Sequence, residues 1–158
     1  DMGDIIRVFL YDELMNESVF NEHGLEYIAK TSVTLSAHKR VFNKIPIDNC
    51  GLEELGLTNI EPTYDNLGMM IGVLHEMDEK FLPKLDEIYQ SPKEYTRKVM
   101  NFQRHDFTPA KGFIYIAPLE KTKSGLKPSK DMMKKFRGAK KTMDMLHFSR
   151  LMNTVTCD

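Results

Sequence analysis

Short apolar stretches with a residue pattern typical of β-strands recur along the chain. Residues 5–11 are β-branched and aromatic apart from one charge, which is typical of a buried strand. In residues 32–37 apolar and polar side chains alternate, which predicts a strand with one solvent-facing side. Six strands are predicted in this way, at residues 5–11, 32–37, 39–47, 67–77, 95–103 and 112–117. Residues 49–66 lose the periodicity and contain Gly and Pro, so they are predicted to form an ordered loop.

Helical spacing occurs in four short segments. Pro92 is expected to end the second of them, because the residue before a proline disfavours helix. In the third, Ser129 is expected to cap the start and Gly138 to end it. The predicted helices lie at residues 17–27, 81–90, 129–137 and 144–152. Several strands with few short helices predict an α+β domain built on a small, mainly antiparallel sheet or barrel.

Composition narrows the class of protein. The chain has 158 residues, 41% of them hydrophobic and 28% charged, which predicts a single globular domain. No run approaches the roughly 18 apolar residues that a membrane span needs, and no secretory signal is visible. Cys50 and Cys157 are expected to be free thiols. These observations predict a cytoplasmic location.

Charge is unevenly distributed. Residues 120–141 hold nine basic and two acidic side chains, a net charge of +7, whereas the whole chain carries −1 and the remainder therefore −8. Lys127, Lys130, Lys134 and Lys141 are spaced so that one helix would align them in a cationic stripe. This basic helical segment, residues 120–152, is predicted either to be a solvated face or to meet an anionic partner such as RNA, a membrane surface or an acidic protein.

Three segments, in chain order, resemble the gamma-glutamylcyclotransferase-like family. Residues 8–14, VFLYDEL, are similar to the family's V-F-x-Y-G-[ST]-L opening. Residues 71–77, IGVLHEM, are similar to its G-x-[LV]-[YW]-x-[VIM] strand. Residues 85–97, LDEIYQSPKEYTR, resemble the more specific segment L-D-x-x-E-x-x-P-x-x-Y-x-R. Pro128-Ser129 and residues 138–140 also resemble the P-S and G-A-K positions of gamma-glutamylcyclotransferase proper.

The resemblance implies a fold and a reaction. The fold is a compact mixed β-barrel flanked by short helices, here spanning residues 1–158. In the reaction, the α-amine of a gamma-glutamyl compound attacks its own γ-carbonyl and 5-oxoproline is released. The glutamate of L-D-x-x-E transfers the protons, and the Y-G-[ST]-L turn binds the substrate carboxylate through backbone N–H groups. The ligand-binding positions implied for this chain are Tyr11, Asp12, Glu13, Leu14, Tyr95 and Arg97.

The chain departs from the family at both functional parts. Tyr89 stands at the position of the glutamate, and a phenol with a pKa near 10 is only about one part in a thousand ionised at pH 7. Asp12 and Glu13 replace the Gly and Ser/Thr of the turn, and two carboxylates oppose an anionic ligand. Glu13 and Glu87 are the remaining candidates for a relocated acid or base, although Glu87 points about 200° away from Tyr89 on a helix.

Each candidate residue also has a purely structural interpretation. Tyr89 would then be an aromatic core residue. Asp12 and Glu13 would be solvated turn residues, or Asp12 would cap the following helix. Tyr95 and Arg97 would be packing and surface residues of a strand.

The sequence lacks the motifs of other common enzyme and cofactor-binding classes. The five histidines have no metal-ligand spacing among themselves or with the cysteines, so no metal site is predicted. No P-loop, dinucleotide-binding or nucleophile-elbow motif occurs. No cofactor is therefore expected.

Three functions remain open from the sequence. The first is a degenerate gamma-glutamylcyclotransferase-like protein that binds a small amine or gamma-glutamyl-type ligand between the 11–14 turn and Tyr89. The second is a working cyclotransferase that uses Glu13, Glu87 or an activated Tyr89. The third is an interaction module that uses the basic C-terminal face and has no catalytic activity. The pattern predicts no oligomeric state.

Overall fold

A computed structural model describes residues 3–65 and 67–158 as a closed barrel with a separate two-stranded sheet and short helices. The strands are β1 Ile5–Leu10, β2 Ala29–Ser36, β3 His38–Lys44, β4 Leu57–Pro62, β5 Met69–Asp78, β6 Thr96–Gln103 and β7 Pro109–Ile116. The helices are α1 Glu17–Glu22, α2 Leu82–Tyr89, α3 Lys130–Phe136 and α4 Met145–Met152.

The barrel contains five of the strands in the order β1-β5-β2-β6-β7. All its strand pairs are antiparallel except β1 with β7, which closes the barrel through the Val8–Phe113 pair. The predicted α+β class and mixed, mainly antiparallel barrel are therefore confirmed. Phe9 and Val8 point to opposite faces of β1 and belong to different core clusters, and the Phe9 ring stacks on Phe102 with centroids 4.4 Å apart.

The predicted loop at residues 49–66 is wrong over its second half, because β4 Leu57–Pro62 pairs there with β3. Thr58 and Asn59 are buried although they are polar. Hydrogen bonds satisfy them: the Thr58 hydroxyl donates to Met132 Sδ, the Tyr95 hydroxyl donates to the Thr58 carbonyl, and the Ala117 N–H donates to Asn59 Oδ1. Apolar periodicity misses such a strand, because two of its three buried side chains are polar. Residue 66, the end of the predicted loop, lies outside the described residues.

The third predicted helix does not end at Gly138 in the expected way. α3 ends at Phe136 and tightens into a 3-10 helix over Arg137–Thr142. Gly138 instead allows a close approach, because a Cβ there would lie 2.5 Å from the Asn16 side chain. Asn16 Nδ2 in turn donates to the Lys135 carbonyl (2.9 Å), which attaches the end of α3 to the start of α1.

The predicted cationic helix stripe is also wrong. α3 spans only Lys130–Phe136, so Lys127 and Lys141 lie outside it. Some of the basic side chains are paired with acids instead: Lys127 with Glu54 at 3.0 Å and Lys135 with Asp131 at 3.1 Å. None of the helices in residues 3–65 and 67–158 has the length and apolar character that crossing a bilayer requires.

Candidate functional site

The turn after β1 is organised by the side chain of Asp12. Its Oδ1 accepts a hydrogen bond from the Leu14 N–H (2.9 Å) and caps the 3-10 helix Glu13–Met15. The Asp12 backbone, with φ −107°, is an extended conformation open to any residue, so the turn does not need a glycine here. Asp12 is only 7% exposed. The interpretation of Asp12 as a helix cap is therefore confirmed, and its interpretation as a solvated residue is wrong.

Tyr89, the last residue of α2, reaches this turn. Leu85 and Tyr89 are four residues apart, so both face the barrel, and both are buried. The Tyr89 hydroxyl donates to Asp12 Oδ2 at 2.7 Å. Both Asp12 oxygens thus accept a hydrogen bond, and the Tyr89 side chain contacts the turn directly.

The Tyr89 ring lies in a cluster of four tyrosines. It stacks on Tyr115 with centroids 4.4 Å apart and meets the ring edge of Tyr95 at 5.4 Å. The Tyr11 hydroxyl donates to the Tyr115 carbonyl (2.6 Å), and the Tyr115 hydroxyl donates to Asp86 Oδ1 (2.7 Å). Every hydroxyl of the cluster therefore has an acceptor, as buried polar groups require.

Burial controls the protonation states of the cluster. Desolvation raises the pKa of Tyr89 well above its usual value, and the charge of Asp12 adds to the rise. Burial likewise raises the pKa values of Tyr11 and Tyr95. Burial also raises the pKa of Asp12, against the hydrogen bond from Tyr89, which lowers it. The phenols are consequently neutral hydrogen-bond donors at pH 7 and lack the properties of a base.

Glu13, unlike the tyrosines, has a pKa close to neutral pH. The residue is half-buried, and desolvation together with the neighbouring Asp12 charge raises its pKa to about 8. Lys135 acts in the opposite direction. Among residues 3–65 and 67–158, Glu13 has no cation within ion-pair distance. A carboxyl with a pKa near neutrality is the state expected of a general acid or base.

The structure brings together only some of the sequence-predicted positions. Tyr11, Asp12, Tyr89 and Tyr95 belong to one hydrogen-bonded and stacked group, and Leu14 is buried in the core beside it.

Glu13 follows Asp12 in the turn, and Glu87 and Arg97 are the two positions outside the group, although Arg97 is linked to it through Asp86, which also accepts a hydrogen bond from the Tyr115 hydroxyl. Glu87 is exposed on α2. Arg97 forms an ion pair with Asp86 and lies 5.2 Å from the centroid of the Phe113 ring.

A buried ion cluster next to this group was missed by sequence reasoning. Lys44, 1% exposed, donates to Glu94 Oε1 at 2.9 Å, and Lys121 lies 3.2 Å from Glu94 Oε2. The Lys44 ammonium is also 5.5 Å from the centroid of the Tyr95 ring. Because Lys44 and Glu94 are 50 residues apart in the chain, no local spacing could predict the pair.

Arg40 was missed as well. Its Nε donates to the Tyr11 carbonyl (2.8 Å) and its Nη2 to the Ile71 carbonyl (2.7 Å), so its guanidinium links β5 to the turn. Within the described part of the chain, no three His, Cys, Asp or Glu side chains converge in a way that could hold a metal ion.

Comparisons with known proteins identify the fold. No protein-family model matches the chain, and no curated protein sequence matches it. A solved gamma-glutamyl cyclotransferase structure superposes with a TM-score of 0.82 at 14% identity, over 97% of this chain and 89% of the other. An uncharacterized human protein gives a TM-score of 0.80 at 15% identity, over 96% and 89%. A yeast gamma-glutamyl cyclotransferase specific to glutathione gives 0.67 at 11% identity, over 95% of both chains. The chain has the gamma-glutamylcyclotransferase-like fold.

Proposed function

We propose that this is a degenerate gamma-glutamylcyclotransferase-like protein of the cytoplasm, which binds a small amine or gamma-glutamyl-type compound without efficient cyclotransfer. The observation that carries the proposal is the hydrogen bond from Tyr89 to Asp12. The resemblance puts the family's glutamate at Tyr89. A buried neutral phenol whose hydroxyl donates a hydrogen bond to a carboxylate does not accept a proton from a substrate ammonium group.

The charge of the turn favours a cationic ligand. Burial raises the pKa values of Asp12 and Glu13 although Arg40 and Lys135 act in the opposite direction, which means that their ionised forms are only partly compensated. A bound ammonium group would supply the missing compensation, whereas a carboxylate at the same place would be repelled. Glu13 is the expected contact, because both Asp12 oxygens are occupied and Glu13 retains solvent contact.

An activity assay tests the catalytic half of the proposal. The substrates are gamma-glutamyl-alanine, epsilon-linked gamma-glutamyl-lysine and glutathione, the last because one structural neighbour is specific to it. Release of 5-oxoproline is expected to stay at the uncatalysed rate. A kcat/KM of about 10⁴ M⁻¹s⁻¹ or more for any of them, within the usual range of enzymes, would contradict the proposal.

Calorimetry with butylamine and gamma-glutamyl-butylamide tests the binding half. Affinity for the amine is expected to rise between pH 6 and pH 8, because the ionised fraction of Glu13 grows from about one per cent to about half over this range. Glu13→Gln is expected to weaken binding about tenfold, and Glu87→Gln, which removes an exposed carboxylate of α2, to leave it unchanged. The absence of heat with both ligands, or equal affinity in the two variants, would refute amine binding at this turn.

A working cyclotransferase is the second candidate, and the pKa of Glu13 favours it. In that case Glu13 would accept the ammonium proton and return it to the leaving amine. The rate would then rise with pH up to about 8, and Glu13→Gln would lower kcat about 10²- to 10⁴-fold. The 5-oxoproline assay across pH therefore separates the two candidates.

A further inference from the structure

A cavity of about 280 Å³ lies on the side of β3 and β5 that α4 covers. Its apolar wall includes Met70, Ile71, Met143 and Leu151. Methionine side chains are flexible and polarisable, so a wall of this kind adapts to different apolar shapes. The volume is near the lower end of the range of small-molecule sites, which suits a ligand smaller than a nucleotide.

The polar side of the same cavity is cationic. Lys39, Arg40 and Arg150 line it together with His147, and no Asp or Glu side chain of the described residues does. Two of these side chains contact acidic residues that do not line the cavity: Lys39 pairs with Glu61 at 3.2 Å, and His147 with Asp144 at 2.7 Å. Arg40 and Arg150 have no carboxylate within ion-pair distance among residues 3–65 and 67–158. The cavity therefore has an excess of positive charge that arises from two arginines.

Arg40 is held in position before any ligand arrives. The Tyr11 and Ile71 carbonyls fix its Nε and Nη2, which leaves Nη1 for another acceptor. Burial lowers the pKa of Arg40 to about 10, so the group stays charged at pH 7. A planar guanidinium fixed by its neighbours binds a carboxylate or phosphate with little loss of side-chain entropy.

We infer that this cavity binds a small organic anion, whose carboxylate or phosphate contacts Arg40 and Arg150 while its hydrocarbon part packs against Met70, Met143 and Leu151. The charge of this ligand is opposite to that proposed for the acidic turn. Arg40 also contacts the acidic turn through the Tyr11 carbonyl and is near the charge of Asp12. The two ligands would nevertheless contact different side chains, Glu13 at the turn and Arg40 with Arg150 in the cavity, so either proposal can fail without the other.

Titration of the full chain with four probes tests the inference. The probes are hexanoate, hexyl phosphate, inorganic phosphate and hexylamine. Binding is monitored by NMR through the methyl signals of ¹³C-methyl-labelled methionine. Hexanoate or hexyl phosphate, or both, are expected to bind and to shift Met70 and Met143 but not Met100, which does not line the cavity. Inorganic phosphate is expected to bind at least tenfold more weakly than hexyl phosphate, because it lacks the apolar part. The relative affinities of the first two probes show whether a carboxylate or a phosphate is preferred.

Variants locate the binding site. Arg40→Gln removes two hydrogen bonds to the backbone and risks misfolding, so the principal variant is Arg150→Glu on the exposed face of α4. It is expected to lower the affinity for the bound anion at least tenfold. Lys111→Glu, the same charge change at an exposed position of β7, is expected to have no effect. Binding of neither organic anion, equal shifts of the Met70 and Met143 signals by hexylamine, or unchanged affinity in Arg150→Glu would each overturn the inference.

Discussion

Two groups of largely buried ionisable side chains meet the Tyr95 ring, one through Lys44 and the other through Tyr89, and they differ in how their charge is compensated. The Lys44 group comprises Lys44, Glu94 and Lys121, and its opposite charges are in direct contact. The Asp12 group comprises Asp12, Glu13 and Tyr89, and in it two acids meet a phenol. In the first group the lysines lower the pKa of Glu94, so the carboxylate is retained. In the second, burial raises the pKa of every member.

The difference separates a structural role from a functional one. A buried ion pair with complete hydrogen bonding joins distant segments, here β3 to the start of β6, and has nothing left to offer a ligand. A buried carboxyl that forms no direct ion pair is held at a cost in stability, and a ligand that brings a cation lowers this cost. Uncompensated carboxyls of this kind are concentrated at functional sites, which is why the Asp12 group carries the proposed function.

The largest effect is expected from breaking the Lys44 group. Lys44→Met leaves Glu94 buried with only the partly exposed Lys121, and is expected to lower the free energy of unfolding by about 3 kcal/mol. Chemical denaturation followed by circular dichroism measures it.

Two further variants show whether this loss comes from the unpaired carboxylate. Lys127→Met breaks the exposed pair with Glu54 and is expected to cost less than about 1 kcal/mol. The double variant Lys44→Met/Glu94→Leu is expected to regain much of the stability, because no buried charge is left unpaired. A double variant as unstable as Lys44→Met would count against this explanation.

The same two groups explain how far the sequence could predict the molecule. The helix end at Tyr89 and the turn at Asp12 were found because each lies within a few residues of recognisable motifs, and the cap at Asp12 is a local interaction. The bond between Tyr89 and Asp12 spans 77 residues, and the Lys44–Glu94 pair spans 50. Such contacts depend on barrel closure rather than on local pattern. The strand β4 was missed for a similar reason, since distant Tyr95 and Ala117 satisfy its buried polar groups.

A buried histidine extends the comparison between the Lys44 and Asp12 groups to a basic side chain that has no ion-pair partner among the described residues. His75 stacks on Phe20 at 4.8 Å, is 2% exposed, and its desolvation lowers its pKa to about 4. Between pH 4 and the ordinary pKa of 6.5, the unfolded chain binds a proton that the folded chain does not. Stability should therefore fall as the pH is lowered through this range, by about 2–3 kcal/mol at pH 4 from this residue.

Replacing this histidine isolates its contribution. The variant His75→Phe is expected to lose that part of the pH slope, whatever its stability at pH 7. His105→Phe, at an exposed position, serves as the control and should keep the slope of the original chain. Unfolding by urea at several pH values between 4 and 7.5 gives both slopes, and an unchanged slope in His75→Phe would show that His75 is not buried in its neutral form.

The smallest effect is expected at Glu13, where stability changes with pH in the opposite direction from that at His75. Its pKa is about 8 in the folded chain, above the ordinary value of 4.5, so between these values the folded chain binds a proton that the unfolded chain lacks. Stability from this residue therefore falls as the pH rises from 4.5 to 8. Glu13→Gln removes the ionisation and is expected to stabilise the protein by about 1–2 kcal/mol at pH 8, a range reduced for the solvent contact that Glu13 keeps, with little change at pH 4.5. Glu87→Gln should change neither value. If Glu13→Gln is equally stabilising at both pH values, the charge of Glu13 is not the cause of the stabilisation. The contrast with the Lys44 group would then rest on Asp12 alone.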